Sequence, residues 1–151
     1  MLKKIIAASL ISASLLAAGC SSMPSAVQQE QNLALLQNKT WIMTHIGATE
    51  YKVDPHAQNI PSIQFHANDM RVSGTDGCNR LMGNYTIKGN QISFGPMAGT
   101  KMMCPDTMQL SSKYTEALSK VAGYQVYGQT LKLLDRHGNI VLKYVSAMQP
   151  R

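Results

Sequence analysis

Tyr85-Thr86-Ile87-Lys88-Gly89-Asn90-Gln91-Ile92-Ser93-Phe94 is the stretch that decides the fold. Two short runs of β-formers, Tyr85 to Ile87 and Gln91 to Phe94, flank Lys88-Gly89-Asn90, in which Gly89-Asn90 supplies the positive φ a tight hairpin turn demands. Gly95-Pro96 ends the second run, because proline removes a ladder donor. A turn this short reverses the chain, so the sheet around it is antiparallel.

Upstream, Thr40 to Ile46 carries Trp41, Ile42 and Ile46 among β-formers and is expected as a first strand. Leu33 to Gln37 is expected as a helical turn just before it. Ser62 to His66 alternates, with Ile63 and Phe65 on one face. Met70 and Val72 alternate likewise after a turn at Ala67-Asn68-Asp69. Downstream, Leu110, Tyr114, Ala117, Leu118 and Val121 fall on one stripe at helical spacing. Pro105 and Asp106 supply start chemistry for that helix and Gly123 a stop. Tyr124 to Tyr127, Thr130 to Leu134 and Ile140 to Val145 follow as strands, joined by turns at Gly128-Gln129 and Asp135 to Asn139. Roughly seven or eight short strands and one late helix make an α+β fold. It is expected as a predominantly antiparallel β-sheet, partly closed and barrel-like, with one α-helix packed against it.

The N-terminus has a different character. Lys3 and Lys4 precede an apolar or small run from Ile5 to Ala18. About fourteen residues at 1.5 Å rise make roughly 21 Å, short of the ~30 Å of a bilayer's hydrocarbon core. Length, positive flank and small residues before the cut identify residues 1–19 as a signal peptide. Leu16-Ala17-Ala18-Gly19-Cys20 resembles a lipobox, with Ala17 standing where Leu is commonest. The alternative is an ordinary secretory signal in which Cys20 is incidental. Acyl chains on Cys20, at ~0.8 kcal/mol per buried CH2, would anchor the protein to a membrane. Ser21 after the Cys, by resemblance to Gram-negative sorting signals, implies the outer membrane, and a periplasm-facing domain is expected there. Residues 20–32 are rich in Ser, Pro, Gln, Asn and Ala and are expected as a lipidated flexible tether, reaching at most ~40 Å. One domain over 33–147 is expected beyond it.

Charge and cysteines narrow the classes. The chain of 151 residues carries a net charge of +6, but Lys3 and Lys4 leave with the signal and about +4 remains, spread along the chain. There is no basic run interleaved with aromatics, so nucleic acid is not an expected partner. With Cys20 lipidated, Cys78 and Cys104 are an even pair in an oxidising compartment, and a disulfide is expected. Two buried free thiols are the alternative.

Two stretches then carry a resemblance. Gly74-Thr75-Asp76-Gly77-Cys78-Asn79-Arg80, continued by Gly83-Asn84-Tyr85, resembles the signature of the META domain. So does the stretch from Phe94 through Thr100-Lys101-Met102-Met103-Cys104-Pro105, and Gly123 to Tyr144 fits the same pattern. The domain occurs in HslJ-like heat-shock lipoproteins of bacteria. The resemblance implies a β-rich domain with a helix against the sheet, in stress or antibiotic-tolerance contexts and without established enzymatic activity. Gly77, Asn79, Arg80, Gly83, Tyr85, Thr100, Met102 and Pro105 are the motif positions it singles out. Relatives often carry an acidic residue in the first half of the helix, where this chain has Ser111-Ser112. The resemblance extends, as fold analogy, to lipoprotein pilots of secretion channels.

Reactive readings fare poorly against structural ones. A nucleophilic Cys78 activated by Arg80 needs a base within reach, and the nearest His in sequence is His66. A cystine in a glycine-bracketed turn, with Asn79 bonding local backbone, is the expected role. His45, His56, His66 and His137 are scattered and there is no Cys-x-x-Cys knuckle for zinc. Met97, Met102, Met103 and Met108 surround Cys104 and suit Cu(I), but Met also fills cores, and Met102 and Met103 are expected on opposite faces of one strand. Asp76 and Asp106 are expected as turn and cap residues. No cofactor or metal is called for. The expected function is binding or scaffolding by a non-enzymatic envelope lipoprotein, its partners the membrane and an envelope protein or lipid. A lipid- or peptide-binding module of an assembly machine is the second reading, a thiol-dependent enzyme the third.

Overall fold

The computed structural model describes residues 24–52 and 60–147. The signal segment, Cys20 and His56 lie outside the described residues. The strands are β1 Thr40–Ile46, β2 Thr49–Glu50, β3 Ser62–Phe65, β4 Arg71–Thr75, β5 Arg80–Lys88, β6 Gln91–Phe94, β7 Ala98–Gly99, β8 Gly123–Tyr127, β9 Thr130–Leu134 and β10 Ile140–Ser146. The helices are α1 Ala26–Leu36 and α2 Met108–Ser119.

Eight strands form a ring in the order β1-β3-β4-β5-β6-β8-β9-β10, and β10 returns to pair with β1. The sheet expected as partly closed is a closed antiparallel barrel. Two short strands lie off the ring, β2 on β1 and β7 on β5. Closure needs curvature, and the ladders break register between Met43 and His45 and between Ile140 and Leu142, where bulges bend the strands. The weakest seam is β6 against β8, which meet in register only where Gln91 faces Gly123.

The barrel is filled with side chains, as one of this size is. Trp41, Met43, Phe65, Leu131, Leu133, Leu142 and Tyr144 have no exposed surface. Alternation puts them there: β9 runs half-buried, buried, half-buried, buried, half-buried. Tyr114 of α2 enters the same core and its hydroxyl meets that of Tyr144 at 3.0 Å. Burial pushes both phenols above their ordinary range. The helical stripe is as expected, with Tyr114, Ala117 and Leu118 buried and Leu110 and Val121 packed against the core.

The hairpin turns differ in one detail. Lys88 pairs with Gln91, and of the two central residues only Gly89 has positive φ (64°). That is the pattern of a type II′ turn, with Gly first.

Four local expectations are corrected. The tether over 20–32 gives way to α1 from Ala26 onward: Ser25 caps it, its hydroxyl accepting from the Gln28 N–H at 3.3 Å. Ala, Gln, Glu and Leu are good helix formers, and only Leu36 needs to be buried to dock the helix, so low apolar content did not exclude it. The described residues therefore hold two helices. Met70 is not a strand residue; it sits at φ 52° in the turn before β4. Pro105 and Asp106 do not start α2, whose N-cap is Thr107 without a side-chain bond, and Gly123 does not stop it, since the helix ends at Ser119 and Gly123 opens β8. Met102 and Met103 belong to no strand.

Candidate functional site

The motif residues converge on one turn, from Asp76 to Arg80, at the junction of β4, β5, β7 and α2. Its centre is the Asp76 carboxylate, 2 % exposed. One oxygen, Oδ1, accepts from the Cys78 N–H at 2.9 Å and the Asn79 N–H at 2.6 Å. The other, Oδ2, accepts from the Ser111 hydroxyl at 2.6 Å and the Asn79 side-chain amide at 3.3 Å. Desolvation alone pushes this carboxyl up. The Ser111 hydroxyl, the two backbone N–H groups and the Asn79 amide outweigh it, and the group lies below its ordinary range. Asp76 is therefore an ionised group whose acceptor capacity is spent on the protein.

Gly77 follows with φ 93°, and a Cβ there would come within 3.3 Å of both Pro61 and Leu110. Only glycine takes both the conformation and the space. Cys78 is joined to Cys104, with Cα atoms 5.8 Å apart. Asn79 turns its carbonyl the other way, accepting from the Met102 N–H at 2.8 Å and the Thr100 hydroxyl at 3.4 Å. Thr100 pairs with Arg80 through two bonds of 3.0 Å, the Arg80 N–H donating to its hydroxyl and its own N–H donating to the Arg80 carbonyl. Cys104 in turn accepts from the N–H groups of Thr107 and Met108 at the start of α2, both at 3.0 Å. The disulfide and Asn79 thus staple the 100–104 stretch to the turn.

The remaining motif positions do other jobs. A Cβ on Gly83 would collide with Met97 Sδ and come within 3.1 Å of the Pro96 carbonyl, so this glycine admits the 96–97 crossing. Tyr85 lies away from the turn: its hydroxyl accepts from the Gln37 amide at 2.7 Å and donates to the His66 carbonyl at 3.2 Å, tying the end of α1 to the barrel. Met102 and Pro105 are exposed, and the exposed Arg80 side chain makes no ion pair among the described residues. Ser111 was missed as a member of the turn. Its one signal was the departure from the expected family pattern at Ser111-Ser112; its hydroxyl donates to Asp76.

No three His, Cys, Asp or Glu side chains converge to hold a metal among the described residues. The methionines divide. Met97 is packed against the core at Gly83, whereas Met82, Met102, Met103 and Met108 are 52 to 86 % exposed.

Two grooves flank β7. One, of about 880 Å³, lies between β7 and α2; Leu81, Phe94, Met97, Leu118 and Val121 are its apolar residues and Lys101, Thr115 and Glu116 are among its polar ones. The other, about 850 Å³, lies on the outer face of the barrel beside Arg80, Met82 and Met102. Both volumes are in the range of ligand sites. Among the described residues no helix is long and apolar enough to cross a membrane.

Comparison with known proteins agrees with this architecture. Residues 25–148 match the model of the META domain. Heat shock protein HslJ of Escherichia coli K12 is 28 % identical over 150 residues, covering 97 % of this chain and 99 % of that protein. A protein from Burkholderia xenovorans solved by NMR is 25 % identical and superposes with a TM-score of 0.60, over 77 % of this chain and 86 % of that one. A crystal structure of a DUF4847-family protein from Bacteroides vulgatus shares the fold at 15 % identity, with a TM-score of 0.55 over 78 % of this chain and 98 % of the other. The signature residues, the barrel they complete and a match over most of the chain lead to one conclusion: this chain belongs to the META domain family.

Proposed function

We propose that this protein is a lipid-anchored, periplasm-facing component of the outer membrane that acts under envelope stress by binding a partner, without turning over a substrate. The observation that carries this is the fate of the signature. Asp76, Asn79 and Thr100 spend their hydrogen-bonding capacity on the protein's own backbone and side chains, and Cys78 is tied to Cys104. A general base needs a free lone pair and a nucleophilic Cys a free thiolate, and this turn holds neither in reserve. Open volume lies instead beside β7. The heat-shock name of the Escherichia coli relative supports the stress setting, and Gly19-Cys20 at the end of an apolar run supports the anchor.

The open groove and the strand beside it, paired on one side alone, favour a second, more specific reading, a module that holds a peptide or lipid for an assembly machine. Photo-crosslinking in intact cells from positions 80 and 101 tests both. Capture of one envelope component from these positions, and not from position 127 on the far β8–β9 turn, is the expected result. Equal labelling from all three, together with unchanged heat and drug tolerance on deletion, would sink the binding role. Fractionation of a Cys20→Ser variant tests the anchor, which predicts loss from the outer-membrane fraction.

A further inference from the structure

Closing a barrel removes most strand edges, and the two short strands off the ring carry edges of their own. β7 is the one that borders the open grooves. Leu81 and Met82 of β5 face Gly99 and Ala98, and the Thr100 N–H donates to the Arg80 carbonyl at 3.0 Å. Bonded and non-bonded pairs alternate in an antiparallel ladder. Gly99, opposite Leu81, therefore turns its N–H and C=O away from β5, and Lys101 follows in the same phase. Neither N–H finds an acceptor among the described residues. Both residues are exposed and both line the groove between β7 and α2.

We propose that this edge accepts an extended, carboxylate-bearing polypeptide segment as an added strand, seated between β7 and α2. The inference rests on the binding role above and names its partner's chemistry. Backbone groups of Gly99 and Lys101 supply the ladder, at the ~4.8 Å spacing of neighbouring strands. Alternate side chains of the guest point into the groove toward Leu81, Phe94 and Leu118. Charge selects the guest. Lys101 and Arg80 flank β7 without a carboxylate in ion-pair range among the described residues, while Glu116 on the opposite bank is already held by Lys120 at 2.6 Å. The Asp76 carboxylate also lines the groove, but it is buried and held by Ser111 and Asn79, so the exposed charge without a partner on this edge is positive. A second copy docked edge to edge would set Lys101 and Arg80 against their own kind, which disfavours self-pairing. Exposed Met82, Met102 and Met103 border the same strand, and flexible thioethers suit a surface that fits varied side chains.

The test uses the detergent-solubilised full-length protein with its disulfide intact. The probe is a labelled, end-blocked pentapeptide of alternating glutamate, valine, threonine, valine and glutamate. A twin carries N-methyl groups on every internal amide, and another has lysine for both glutamates. Expected are measurable binding of the first, at least about tenfold weaker binding of the other two, and slowed hydrogen exchange at the Gly99 and Lys101 amides. Lys101→Glu should lower affinity for the acidic peptide about tenfold and raise it for the lysine peptide, with an unchanged circular dichroism spectrum. Equal binding of the N-methylated twin, protection confined to other amides, concentration-dependent dimerisation that the peptide does not compete away, or no binding at millimolar peptide would each overturn the proposal. Capture in cells from position 101 alongside a negative peptide result would remove strand addition and leave the binding role standing; loss of both would remove both.

Discussion

Two turns of this molecule are built on one plan and differ in burial. Asp76 accepts through Oδ1 from the N–H groups of Cys78 and Asn79, while the Asn79 amide reaches its other oxygen. Asp135 accepts through Oδ1 from the N–H groups of His137 and Asn139, while the Asn139 amide reaches both of its oxygens. Both carboxyls lie below their ordinary range: Asp76 because its donors outweigh desolvation, Asp135 because Asn139 donates from side chain and backbone with little desolvation against it. Asp135 shapes a hairpin connection at the surface. Asp76 is sealed under α2 and adds a bond from Ser111, so the same device joins two strands, a helix and a disulfide-bound loop. A turn device becomes a structural centre when water cannot replace the groups it satisfies.

The largest expected effect tests that claim directly. Asp76→Ala leaves four donors without their acceptor at a buried site, and a loss of about 3 kcal/mol or more is expected in urea unfolding, enough to lower the melting midpoint by roughly 10 °C. A drop no larger than that of Asp135→Ala would end the distinction between the two turns. Reducing Cys78–Cys104, or replacing both by Ser, releases a constraint across a sequence separation of 26. The chain-entropy estimate is about 3 to 4 kcal/mol, read as a fall in the urea midpoint. Thiol titration of the oxidised protein in denaturant should find fewer than one free thiol per lipidated molecule, and a higher count would revive a thiol-dependent enzyme.

Ser111→Ala removes one bond to a buried charge and should cost about 1.5 to 3 kcal/mol. Its loss should be much smaller in an Asp76→Asn background, because the two act as a unit; additive losses would show that they do not. Acid provides a fourth test. A carboxyl with a folded pKa below its unfolded value of 3.8 contributes stability that is complete above that value and is lost as pH falls through the folded pKa. Unfolding free energy should therefore fall as pH drops below about 4, and Asp76→Asn should flatten that slope. The smallest effect is expected at the surface turn, where Asp135→Asn at neutral pH should leave the melting midpoint within experimental error of the parent.

Much of the barrel was legible because strand alternation and turn chemistry are local. Thr40 to Ile46 and Thr130 to Leu134 emerge as strands with those limits, and the Tyr114-Ala117-Leu118 stripe names the buried face of α2 by its spacing alone. Helix ends were less legible: a proline and an acid before α2 look like a cap, yet the Cys104 carbonyl receives the first N–H groups. In α1 the local propensity was readable, but its place on the barrel depends on Leu36 and on the Gln37–Tyr85 bond, made across 48 positions of sequence.

What the residues determined by themselves is the antiparallel class, the faces of its strands and the presence of an Asp-Gly-Cys-Asn turn, since each follows from φ preferences and from a period of two or 3.6. What only the tertiary structure decided is which of two similar carboxylates is shut away from solvent, that Ser111 reaches one of them across 35 positions, and that the sheet closes while leaving one edge of β7 open. Burial and closure are properties of how distant segments meet, and water is excluded only once they have met.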